Sequence, residues 1–256
     1  MFNWLTGTAA VGVYQEGRDW DAHAAVTQEA LESATLRADR IRLLALHGLH
    51  ETARGERLEE LRSEVETLVG DSTDPDDLFT LHMATANAAL MSGDLETAYS
   101  SVIKAAGLPI QNPEVPLGLG LHAAIWSASL AQTRHIAARI VEQPLTGAWG
   151  QAWRLHATAA VAALEGRIAE ALAGFRDGRA RLLRLEQAFE VATWVVDAAV
   201  LLPAEPEVRA WAAEARPLLE ELRAKPYLDK LDEALASAPP PSSGVRTESR
   251  AESPSA

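Results

Sequence analysis

The chain has 256 residues, 48% of them hydrophobic and 23% charged, a globular composition with enough apolar material for one large core or two ordinary ones. Its 36 acidic against 23 basic residues leave a formal charge of −13, which repels phosphate backbones and anionic lipid, so neither nucleic acid nor a membrane is an expected partner. Cysteine is absent, which removes disulfides, thiol nucleophiles and cysteine metal sites.

The amino terminus carries no basic residue before Arg18 and no long apolar run, unlike a secretory leader. No later stretch approaches the roughly 20 apolar residues of a bilayer span. A soluble, cytoplasmic protein is expected. The first helical hairpin runs from about Phe2 to Ser33, turning at Gly17-Arg18-Asp19 with Asp19 as N-cap of a helix that carries Trp20, Ala24 and Leu31. The second pairs 39–54 with 56–69, and its stripe of Leu58, Leu61, Val65 and Leu68 implies one extra residue in the turn. Gly70 to Pro75 reads as a capping turn, since it lacks the alternating ligands and closing glutamate of a calcium loop. The third hairpin pairs 75–91 with 95–106, and the fourth runs from near Pro113 through Leu130 to 134–141. The fifth pairs 149–164 with 168–185, the sixth 188–202 with 207–222, and a helix over 227–236 caps the last apolar face.

A turn residue, a small residue five positions on and an apolar one nine positions on recur at Gly17/Ala22/Val26, Gly93/Ala98/Val102 and Gly166/Ala171/Phe175, with a weaker copy at Gln132/Ala137/Val141. Seven residues before these starts stand Ala10, Ala86, Ala159 and Ile125, mostly small residues where the paired helices approach. Starts at 17, 55, 93, 132, 166 and 203, without strand-like alternation, predict an all-α solenoid of about six antiparallel hairpins over residues 1–236. From Ser237 the chain is rich in proline and serine, and a disordered tail is expected over 237–256.

The spacing of small residue, glycine, alanine and apolar residue at Gly93–Val102 and Gly166–Phe175 resembles the tetratricopeptide repeat family, which implies a right-handed superhelix. The stretch from Gly166 to Ala236 is also similar to the carboxyl-terminal repeat region of large bacterial regulators, in which such repeats join an ATPase and a cyclase or LuxR-type module. Here no GxxxxGK[ST] loop, recognisable cyclase aspartate pair or carboxyl-terminal DNA-reading helix is present. In the resembling family the concave groove is lined at fixed offsets before each turn. Those offsets fall on Asn87, His122, Trp126, Trp153, His156, Thr193 and Asp197, and also on Glu190 and Ser129. Aromatic and polar side chains of this kind suit a peptide-binding groove.

Signals for chemistry are weak. His47 and His50 lie three apart beside Glu51, but no HExxH follows, so they read as packed or surface histidines. No GxSxG elbow stands around any serine, and the carboxylates are spread along helical faces. The expected function is a non-catalytic interaction or regulatory scaffold that binds a protein or peptide segment in its groove, without cofactor or metal. The alternative is a repeat domain that senses a small molecule. Convergence of His122, His156 and a carboxylate around a closed pocket would favour a sensor or an enzyme, and a long open groove would favour peptide binding.

Overall fold

The computed structural model describes residues 14–109, 115–144 and 147–237. These residues are helical with no strand among them. The helices are α1 (Trp20–Ser33), α2 (Arg37–Arg54), α3 (Leu58–Val69), α4 (Pro75–Ser92), α5 (Leu95–Ala105), α6 (Val115–Trp126), α7 (Leu130–Glu142), α8 (Gly147–Leu164), α9 (Ile168–Arg184), α10 (Ala188–Leu201), α11 (Pro206–Glu221) and α12 (Lys225–Ala236). No described helix is long and apolar enough to cross a membrane. The expected tail beyond Ser237, and the part of the first hairpin before Tyr14, including Ala10, lie outside the described residues.

Local chemistry at the turns sets the hairpin register. Gly93, at φ 85°, ends α4 by returning its N–H to the Ala89 and Leu90 carbonyls, a left-handed closure that glycine adopts without steric penalty. Asp94 then caps α5 by accepting from the Thr97 N–H at 3.1 Å. With this two-step turn the plus-five and plus-nine residues face inward: Ala98, Val102, Ala171 and Phe175 are all buried. After Gly55 the next helix starts one residue later, Arg57 takes φ 48°, and Leu61 and Val65 are buried instead, so the inserted turn residue is real. The Gly70 to Pro75 segment is a capping turn, with Asp74 accepting from the Asp76 N–H at 2.9 Å.

Two register expectations are corrected. The first hairpin has the same long turn, with Asp19 at φ 51° and making no side-chain cap bond. One extra residue rotates α1 by about 100°, so Ala22 and Val26 are exposed while Trp20 and Thr27 are buried. In the fourth hairpin the turn lies at 127–129, where Ala128 takes φ 51° and Ser129 caps α7 by accepting from the Gln132 N–H at 3.4 Å. Counted from Ala128, Thr133 and Ala137 are the buried pair, and Val141 faces solvent. Without a glycine to mark it, the true turn was invisible to the repeat spacing.

Consecutive helices pack as neighbours, and the even-numbered ones also meet one another: α2 with α4, then α4 with α6, α6 with α8, α8 with α10, and α10 with α12. The last helix, α12, packs on α10 and α11 as expected of a cap, and it also returns to α2 and α4. The inner helices thus close on themselves. Tyr14 stacks on Trp20 at 5.2 Å, and both rings meet Phe189 of α10 edge-on. At the rim of this seam Arg54 donates to the Leu222 carbonyl at 3.2 Å and to Asp21 at 2.7 Å. One large core joins residues from Trp20 to Ala234, and a second, smaller one of Ile41, Leu44, Leu61, Val65 and Val69 sits under α1 to α3.

Candidate functional site

Closure of the inner helices decides where the expected groove residues go. Six of the seven are buried, His122, Trp126, Trp153, His156, Thr193 and Asp197, and they come from α6, α8 and α10. In place of an open groove they form part of the core. Asn87 stays apart on α4, half-buried, with its side-chain amide donating to the Met83 carbonyl one turn back at 3.0 Å. Thr193 likewise bonds within its own helix, to the Glu190 carbonyl at 2.9 Å. Ser129, also at a groove offset, is instead the cap of α7.

His122, Trp126 and His156 converge on one carboxylate. Asp197 Oδ2 accepts from His122 Nδ1 at 2.7 Å and His156 Nε2 at 2.8 Å, while Oδ1 accepts from Trp126 Nε1 at 2.9 Å. An ionised carboxylate only accepts, so each imidazole presents an N–H to it. Burial disfavours every charge here, and the pairing decides which groups keep one. Against its own burial, Asp197 is held down at about 2 by the His122 charge and the two imidazole bonds. Burial also opposes a charge on His122, but the adjacent Asp197 overrides it and raises this imidazole above the ordinary histidine value. His156 goes the other way, lowered by burial that Asp197 offsets only in part. These directions favour a cation at His122, an anion at Asp197 and a neutral imidazole at His156, a set that balances its charge.

Aromatic rings seal it. His156 stacks on Trp194 at 4.1 Å between centroids and 19° between planes, and Trp153 meets His122 and Trp194 edge-on. Tyr227 of α12 lies edge-on to Trp126. Nearby, Glu190 is buried against Trp149, whose indole N–H reaches it at 3.4 Å. Burial pushes the Glu190 carboxyl up to about 7, although the Trp149 bond and the His122 charge favour its anion. Trp194 escaped the groove reading, because it occupies no groove offset and reaches His156 only through packing of α8 on α10.

A histidine bonded to a buried carboxylate has the makings of a proton relay. Here it has little space in which to act. His156 Nδ1 has no hydrogen-bond partner, and the space beside His156, Phe175, Trp194 and Trp211 amounts to about 10 Å³, room for a single water. Among the described residues no three histidine, aspartate or glutamate side chains are arranged to hold a metal ion. His47 accepts from, or donates to, Thr27 Oγ1 at 3.1 Å and stands 3.6 Å from Glu51, while His50 is wholly buried against Trp20 and Tyr14 with both nitrogens unpartnered. No protein-family model, curated protein or solved structure matches this chain.

Proposed function

We propose that the chain is a non-catalytic interaction module, a tetratricopeptide-like superhelix whose ends meet and whose interior serves as a frame. The observation that carries this reading is that Asp197 of α10 takes three donors from α6 and α8 at the centre of the inner helices, with about one water's volume beside them. Such a centre fixes α6, α8 and α10 relative to each other. Recognition then falls to the outer surface, presented on a rigid body.

The test is capture from the source cytosol by the full chain, followed by titration of the purified partner and hydrogen exchange of the complex. The reading expects a saturable protein complex that protects outer helices and leaves exchange at His156 and Asp197 unchanged. The runner-up, small-molecule sensing, draws on the meeting of His122 and His156 at Asp197, the convergence expected of a sensor, and on the unpartnered His156 Nδ1 at that small space. A metabolite fraction that raises Tm and protects α8 and α10, with no protein partner, would establish it in place of the interaction reading.

A further inference from the structure

The outer surface is not uniform. Between α1 and α3, above α2, lies a trench of about 350 Å³. Its floor is Leu44, buried as part of the smaller core, and its walls include the half-buried Leu31 and Leu68. Arg40 and Glu64 stand exposed at its rim. Two other successive pairs of outer helices are bridged by side chains. Gln132 and His135 of α7 reach Glu96 and Tyr99 of α5, and Arg176 and Arg179 of α9 pair with Glu207 and Glu214 of α11. Among the described residues no such bond joins α1 to α3, which leaves the trench open along its length.

Charge at this trench is also out of balance. The arginines from 37 to 62 are Arg37, Arg40, Arg42, Arg54, Arg57 and Arg62. Five of them are paired: Arg37 with Asp77, Arg42 with Asp76, Arg54 with Asp21, Arg57 with Glu51 and Glu64, and Arg62 with Glu59 and Glu66. Arg40 has no carboxylate within ion-pair distance among the described residues, in a chain where acids exceed bases by 13. The one acid of the trench, Glu64, is already held by Arg57 at 2.6 Å. An apolar floor with an unneutralised guanidinium at the rim is complementary to an amphipathic helix that carries a carboxylate beside its apolar ridge.

We propose that the trench over α2 docks an acidic amphipathic helix of a partner protein, with its apolar side chains on Leu31, Leu44 and Leu68 and its carboxylate on Arg40. The proposal rests on the interaction reading above and narrows it to one face.

The experiment is display selection of a randomised library of helical peptides about sixteen residues long, four to five turns, against the full chain and against Arg40→Glu. Arg40 is exposed, so the variant should fold, and an unchanged Tm checks that. Selected peptides should carry aspartate or glutamate one turn from a pair of large apolar residues, bind Arg40→Glu at least about tenfold more weakly, and give way to lysine or arginine peptides when the variant is the bait. Methyl signals of Leu31, Leu44 and Leu68 should shift on binding. No enrichment, or enrichment indifferent to Arg40→Glu, would overturn the proposal, as would self-association abolished by the same substitution. A natural partner retained in full by Arg40→Glu would overturn this assignment while leaving the interaction reading intact.

Discussion

Replacing Asp197 by asparagine tests whether the centre of the molecule is an ionised network. The change is nearly isosteric, so packing is preserved and the effect reports charge and hydrogen bonding. Asp197 is fully buried and accepts three donors, two imidazole N–H groups on one oxygen and the Trp126 indole on the other. An amide has one accepting edge. If its NH₂ faces Trp126, two N–H groups oppose each other. If it faces the histidines, both must present bare nitrogens, and His122 must give up its proton. Hydrogen bonds to a charged group contribute about 1.5–3 kcal/mol each, and removing one member of a buried ion pair costs about 3–5 kcal/mol. Asp197→Asn should therefore lose about 3–5 kcal/mol, a large part of the 5–15 kcal/mol usual for a domain. Urea unfolding followed by tryptophan fluorescence and far-ultraviolet circular dichroism measures it. A combined His122→Met, Trp126→Phe, His156→Leu, Asp197→Leu variant should lie nearer the wild type than the single change does, because none of the three donors to Asp197 is left behind unpaired. A loss under about 1 kcal/mol for Asp197→Asn, with the His122 titration unmoved in NMR, would refute the reasoning.

Glu190→Gln should change the pH dependence of stability. The folded carboxyl is raised to about 7 from 4.5, so its contribution is complete below 4.5 and is lost as the pH rises through 7. The variant should match the wild type near pH 4.5 and exceed it by up to about 3 kcal/mol at pH 8, by denaturant titration at each pH; equal slopes in both proteins would contradict this. His50 has the opposite sign. Burial lowers it to about 3, so its contribution is present above 6.5 and is lost as the pH falls from 6.5 toward 3. His50→Leu should flatten that acid limb of Tm against pH, and an unchanged limb would place the titrating groups elsewhere. Gly120→Ala would bring a methyl within 2.6 Å of Val102 Cγ1 and 3.1 Å of Ile136 Cδ1, both on fully buried side chains of neighbouring helices. Overpacking of about 1–3 kcal/mol should outweigh the gain of about 1 kcal/mol from alanine's helix propensity, giving a lower Tm; a Tm at or above wild type would count against that close approach.

Helix identity and pairing were legible in the chain wherever a turn announced itself chemically. Gly93-Asp94 and Gly166 mark their hairpins, and Pro206 and Pro226 sit in the first turns of α11 and α12. The same local rules failed at two turns where a residue other than glycine took the left-handed conformation with no apolar stripe to betray it. Ala128 is the turn of the fourth hairpin, and Asp19 lengthens that of the first. Tertiary context can hold such residues there, and nothing in a single sequence flags it.

The groove offsets picked out residues that do face inward, since helical periodicity fixes which side of α6, α8 and α10 carries His122, Trp126, Trp153, His156, Thr193 and Asp197. What they face is set by relations between helices. Asp197 is 75 residues from His122 and 41 from His156, and no local pattern encodes the meeting of all three on one carboxylate. That meeting depends on how α6, α8 and α10 pack on one another, just as the Phe189 ring meets Trp20 only because α10 packs near α1, contacts between helices far apart in the chain. The sequence by itself determined an all-helical chain of paired helices and the polarity of their inner faces. The tertiary structure alone decided that those faces close on each other and not on solvent, because closure is the accumulated geometry of every interhelical contact and no single contact specifies it.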